Sequence, residues 1–165
     1  MEIKKVIDLL ESLIKNPSDG LPEDIFLFIS RITPLINVDL LIKNKKGQTL
    51  LTWRDDRYHG PGWHIPGGII RYKEKASDRI NAVAKKELGT KVSFKKNPLI
   101  INEVICSRKT RGHFISLLYE CKLINSLDKN LKFKQENLKP GQWAWHEKCP
   151  DNIISIQEMY RKFIK

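Results

Sequence analysis

Gly62-Trp63-His64-Ile65-Pro66-Gly67-Gly68, followed by Glu74 and then by Lys86-Glu87-Leu88-Gly89, is the stretch that decides how this chain folds. Trp63 to Pro66 reads as extended chain, and Gly67 to Lys75 as the loop that follows it. From near Ser77, the residues Ile80, Val83, Ala84 and Leu88 recur at helical spacing, which predicts a helix with those four on its buried side. Gly89 stands where a left-handed C-terminal cap is needed. Glu87 lies four residues after Val83 and so shares its face of the helix.

Upstream, Met1 to Asn16 carries Ile3, Val6, Ile7, Leu10, Leu13 and Ile14 at helical spacing, with Glu and Lys between them. This is an amphipathic helix and not a signal peptide. Its stripe must be buried on its own domain or on a partner. Asn16-Pro17 ends it, Ser18-Asp19-Gly20 is a linker, and Pro22-Glu23-Asp24 opens a second helix that runs to about Ile32 before Pro34. The runs Leu35 to Ile42 and Thr49 to Trp53, joined by Asn44-Lys45-Lys46-Gly47, read as a hairpin. Asp39 sits inside the first of these strands, where an unpaired charge is costly, so it is expected to be paired or functional.

Asp55 to Gly62 is a loop. Beyond the central helix, strands are predicted over Lys91 to Phe94, Leu99 to Cys106, His113 to Leu123 and Trp143 to Trp145, with a closing helix from about Ile153 to Ile164. Strands mixed with helices on their faces, and no internal repeat, predict an α/β sandwich.

The 165 residues fit one domain with a sizeable core. A formal charge of +11 favours anionic partners such as nucleotides. The lysines are scattered, with no aromatic-interleaved basic run, so a solvated surface outweighs a nucleic-acid platform. Cys106, Cys121 and Cys149 have no CxxC spacing and suggest neither zinc nor a disulfide framework. No stretch is long and apolar enough to span a bilayer, and a reducing cytoplasm is the expected location. Trp53, Trp63, Trp143 and Trp145 are expected to be mostly packing residues.

The opening stretch resembles the signature of the Nudix hydrolase superfamily, G-x5-E-x7-R-E-U-x-E-E-x-G-U with U a bulky apolar residue. Counted from Gly68, Glu74, Glu87 and Gly89 fall in register, while Ala82, Val83 and Lys86 replace Arg, Glu and Glu. The chain is more closely similar to the GDP-mannose mannosyl hydrolase branch, which keeps the box length but loses the Arg-Glu pair and one terminal acid. The resemblance runs from about Leu21 to Trp145 and includes Thr33-Pro34-Leu35, Val38-Asp39, Lys46-Gly47 and Arg54. It implies an α/β/α Nudix sandwich over residues 21–165, with a mixed sheet, preceded by the helix and linker of residues 1–20.

The same resemblance assigns the Gly67 carbonyl and the Glu87 carboxylate as ligands of a magnesium ion. Gln135 is the nearest candidate for a third ligand, and Glu136 stands where the branch has a general-base histidine. Arg54 matches an arginine that supports the departing diphosphate, and Asp39 an acid that contacts the nucleotide-sugar. Ile69 replaces a leaving-group arginine, and Phe114 a tyrosine, so the substrate is expected to differ from GDP-mannose itself. His113 reads either as a substrate contact or as a structural strand histidine, and His59 and His64 are equally open.

The resemblance therefore implies a magnesium-dependent hydrolase acting on a nucleoside diphosphate sugar, with water attacking the anomeric carbon, and a homodimer. One metal and an arginine suffice when the diphosphate is only a leaving group. The alternatives are attack at phosphorus, or a Nudix fold that binds a nucleotide without turning it over.

Overall fold

A computed structural model describes residues 2–134 and 138–165. Two sheets form the centre. The larger is mixed, with β1 (Leu35–Ile42) between β4 (Gly67–Ile69) and β7 (His113–Leu123), and with β5 (Val92–Phe94) and β6 (Ile100–Ile105) both pairing with β7. The smaller places β2 (Thr49–Arg54) between β3 (Gly62–His64) and β8 (Trp143–His146).

β1 runs parallel to β7 over its whole length, from Leu35 opposite Phe114 to Ile42 opposite Cys121. A central strand covered on both faces reads as a near-continuous apolar run, and alternation divides its side chains between two cores. Val38, Leu40 and Ile42 pack with Ile80, Val83, Ala84 and Leu88 of α3 (Ala76–Leu88). Leu41 packs on the opposite side with Leu51, Trp53, Trp63 and Tyr160. Asp39 has the same parity as Leu41, so it points toward the C-terminal segment.

Four expectations are corrected. β1 and β2 do not form a hairpin, because β4 and β7 already occupy both edges of β1; only an isolated bridge, Lys43 to Thr49, joins them before the strands part. Gly67 to Ile69 is not loop but strand β4, antiparallel to β1. Two glycines make that possible: a Cβ on Gly67 would lie 2.3 Å from Asp39 Oδ1, and one on Gly68 would lie 2.8 Å from Val83 Cγ2. The closing helix is a 3-10 helix, Ser155–Phe163, with Gln157 and Tyr160 buried. The first two helices are also shorter than expected, α1 being Ile3–Ser12 and α2 Glu23–Ile29.

The box helix follows the sequence reading closely. Its four apolar residues are buried, and Gly89 caps it in the left-handed region at φ 62°. α1 buries none of its residues, and Ile3, Ile7 and Leu13 of the stripe are exposed. Among the described residues, no helix is long and apolar enough to cross a membrane. All three cysteines are free thiols.

Candidate active site

Gly67 lines three cavities, the largest of about 850 Å³, and two of them share Arg54 and His64. One of these two, of about 230 Å³, is lined by Glu87 from α3, Thr52 and Arg54 from β2, Asp56 from the loop after β2 and His64 from β3. The other, of about 140 Å³, is lined by Asp39, Arg54, His59, His64, Arg111 and Phe114, among others. Arg54 and His64 reach both.

Glu87 enters the first cavity from the last turn of α3. Its carboxylate accepts a long hydrogen bond of 3.4 Å from Thr52 Oγ1 and lies 3.7 Å from His64 Nε2, which leaves lone pairs free. The Thr52 carbonyl is 2.9 Å from His64 Nδ1. A carbonyl can only accept, so Nδ1 carries a proton and Nε2 is the ring atom turned toward Glu87. The Gly67 carbonyl is also uncommitted by the sheet. Leu40 N–H bonds the Pro66 carbonyl and Ile70 N–H the Ile36 carbonyl, which makes the intervening Asp39–Gly67 pair a non-hydrogen-bonded one. Gly67 therefore directs its carbonyl away from β1, at the outer edge of the sheet.

These are hard oxygen donors, and they suit a cation such as magnesium, which is bound through few carboxylates. Among the described residues, no three His, Cys, Asp or Glu side chains converge on a common point. Gln135 and Glu136 lie outside the described residues.

Asp39 forms the floor of the second cavity and is only 2% exposed. Tyr160 Oη donates to Oδ2 at 2.7 Å, Asn37 Nδ2 to Oδ2 at 3.0 Å, and Gln157 Nε2 to Oδ1 at 3.3 Å. Burial pushes its carboxyl up to about 6, against the opposing hydrogen bond from Tyr160 and the nearby charge of His64. Gln157 also accepts from Ile65 N–H at 2.7 Å and donates to the Ile65 carbonyl, so one side chain ties Asp39 to the strand that delivers Gly67.

Arg54 Nε donates to Asp56 Oδ2 at 2.6 Å. Burial alone would raise the Asp56 carboxyl, but this bond and the N–H groups of Tyr58 and His59 outweigh it and hold it at about 2. His59 is drawn down to about 3, first by burial and then by the charges of Arg54, Arg108 and Arg111, so its imidazole is neutral. Arg108 Nη1 lies 2.9 Å from His59 Nδ1.

Of the residues singled out from sequence, Gly67, Glu87 and Arg54 line one cavity, and Asp39 and Phe114 line its neighbour. His113 is not brought to either. Adjacent strand residues face opposite ways, so while Phe114 is buried, His113 turns to the other face and bonds Glu103 Oε1 at 3.1 Å. Trp53 and Trp63 are core residues in an edge-to-face pair, with centroids 5.3 Å apart.

Other site residues escaped the sequence reading. Gln157 and Tyr160 are polar groups on the apolar side of the closing helix, a signal that could have marked them. Arg108 and Arg111 come from a basic loop whose direction no periodicity reveals. Arg79 bonds Glu74 through Nε at 2.9 Å and Nη2 at 2.8 Å, from a position one turn before Ala82.

No family model matches the chain. The low-salt glycan biosynthesis protein Agl8 of Haloferax volcanii is 33% identical over 79 residues, covering 48% of this chain and 50% of that protein. The matched part thus spans half the length of this curated relative. A MutT Nudix hydrolase from Burkholderia pseudomallei superposes with a TM-score of 0.60 at 15% identity, over 81% of this chain and 99% of that one. A UDP-X diphosphatase superposes with a TM-score of 0.57 at 17% identity, over 98% of this chain and 88% of that one. The chain has the fold of the Nudix hydrolases.

Proposed function

We propose that the protein is a magnesium-dependent Nudix-type hydrolase of a nucleoside diphosphate sugar, releasing the sugar and the nucleoside diphosphate by attack of water at the anomeric carbon. The observation that carries this reading is the convergence of Glu87, the Gly67 edge and Arg54 on one cavity. Glu87 and the Gly67 carbonyl would hold the ion, which supplies positive charge to the diphosphate as it departs. Arg54, fixed by Asp56, presents its remaining guanidinium donors to the same oxygens. Asp39 is a positioning residue that sets β4 through its contact with Gly67.

Attack at carbon suits a helix that delivers one carboxylate to the cavity, since Val83 is turned into the core and Ala82 and Lys86 are exposed. Glu136 is the proposed base. Among the described residues, His64 places Nε2 beside Glu87 and is a further candidate for the same role. A second reading, attack at phosphorus, is favoured by Asp55 and Asp56, which line the same cavity and add acid oxygens.

The proposed setting is the cytoplasm, with the exposed stripe of α1 available to a second copy in a homodimer. Gel filtration of the full chain and of a chain starting at Leu21 tests the dimer, which predicts a dimer for the first and a monomer for the second. Incubation with a panel of nucleoside diphosphate sugars and magnesium tests the activity. Failure of a folded protein to release sugar or nucleotide from any of them removes the enzyme reading.

A further inference from the structure

The second cavity is polarised along its length. The charges that bear on Asp39 at its floor are His64 and Glu87, whereas those that bear on Arg111 are Arg54, Asp56 and Arg108. Phe114 and Val104 supply apolar wall. The cavity, about 140 Å³, opens toward its neighbour along Arg54, His64 and Gly67.

Arg111 is built into this cavity. Its backbone adopts φ 54°, in the left-handed region that residues with a Cβ avoid. Its N–H donates to Ser30 Oγ at 3.1 Å, at the end of α2. Its guanidinium lies over the rings of Tyr58 and Phe26, 4.5 and 5.7 Å from their centroids. Nε is buried and, among the described residues, meets no acceptor. Burial and then the like charge of Arg54 both work against its charged form, and the one carboxylate that opposes them, Asp56, is already engaged by Arg54. His59, neutral, adds a further polar group without adding charge. A backbone held this way, with a desolvated cation and a spare donor at its end, lacks only an acceptor.

We propose that the arginine end of this cavity binds an oxyanion carried by the substrate, either a carboxylate on the sugar or a further phosphate, beyond the diphosphate at Glu87 and Gly67. An oxyanion there accepts from Arg111 and offsets the repulsion among Arg54, Arg108 and Arg111. The inference rests on the preceding assignment of the diphosphate to the Glu87 cavity and names the class of group attached to it.

The test compares matched pairs that share a base: UDP-glucuronate against UDP-glucose for the carboxylate source, and UTP against UDP for the phosphate source. Affinities are measured by titration calorimetry of the full chain in calcium, which takes the same oxygen ligands as magnesium. The acidic member of one pair is expected to bind at least about tenfold tighter, as one charge-assisted contact provides, and Arg111→Gln is expected to bring that ratio to near one. The pair that discriminates identifies the source.

Equal or weaker binding of the acidic member in both pairs overturns the proposal on the native protein alone, whether or not the variant folds. A folded Arg111→Gln protein that keeps the native ratio also overturns it. Tenfold discrimination by a protein that hydrolyses no sugar nucleotide sinks the hydrolase reading and supports this one. Hydrolysis of neutral sugar nucleotides without discrimination does the reverse.

Discussion

Asp39 and Arg111 line one cavity, yet the fold finishes them in opposite ways. Asp39 is met by Tyr160, Asn37 and Gln157, so its buried oxygens are bonded from within the molecule. Arg111 is positioned with equal care, by Ser30, Tyr58 and Phe26, but its buried Nε meets no acceptor among the described residues. A buried group bonded from within the molecule belongs to the scaffold, and an unbonded one is open to water or a ligand. Asp39 therefore sets the position of β4 and Gly67, while the arginine end faces what enters. Glu87 lies between these extremes, with a long hydrogen bond from Thr52 and lone pairs to spare.

The largest effect is expected where the unfinished chemistry is most important. Glu87→Gln should lower kcat by about a hundredfold or more, the scale of removing a preorganised charge from a reacting centre, with little change in the thermal midpoint. An equally large fall in the midpoint would place Glu87 with the scaffold instead. Gly67→Ala should fail on both counts, because its Cβ would meet Asp39 Oδ1 at 2.3 Å. Denaturant unfolding should show a loss of roughly 1–3 kcal/mol, as for other overpacked sites, together with lost activity. Retention of full stability would mean that β4 moves freely relative to Asp39.

Removing a partner from each end then sharpens the contrast. Tyr160→Phe strips a donor from a buried carboxylate and should cost about 1–3 kcal/mol in the same measurement. Arg111→Gln gives up the ring contacts with Tyr58 and Phe26 but relieves like-charge crowding, and should cost less than about 1 kcal/mol. Equal losses at the two ends would erase the distinction drawn between them.

The remaining effect concerns acid. The His59 pKa falls from about 6.5 in the unfolded chain to about 3 in the fold, so the unfolded chain binds more protons between those values. Its contribution is complete above pH 6.5 and is lost as pH falls toward 3. Asp39, raised from 3.8 to about 6, contributes the opposite slope between those values, so the reading is a difference: the native urea midpoint minus that of His59→Gln should decline from pH 7 to 4. A constant difference would show that His59 is not kept neutral by its surroundings.

The sequence made the box helix legible because burial there follows a 3.6-residue period, and Ile80, Val83, Ala84 and Leu88 all face the core. Strand positions were legible for the same kind of reason. Strand partners were not: β2 leaves β1 only because β4 and β7 claim both its edges, a fact of the whole sheet. β4 itself was hidden, since a strand of two glycines and an isoleucine looks like loop until Asp39 and Val83 are seen to fill the missing side-chain space. In the candidate site, Gly67, Glu87 and Arg54, which share one cavity, were implied by the family resemblance, and Asp39 was also marked by the cost of its burial. Gln157 and Arg111 arrive from 118 and 72 residues beyond Asp39, across folds of the chain that no local pattern encodes. Strand alternation turns His113, which the sequence left open, away from both cavities and onto Glu103.

The most direct test of the central claim is hydrolysis of a nucleoside diphosphate sugar in water enriched in heavy oxygen, with the products analysed by mass spectrometry. The account predicts the label in the released sugar and none in the nucleoside diphosphate. Label in a phosphate would contradict it.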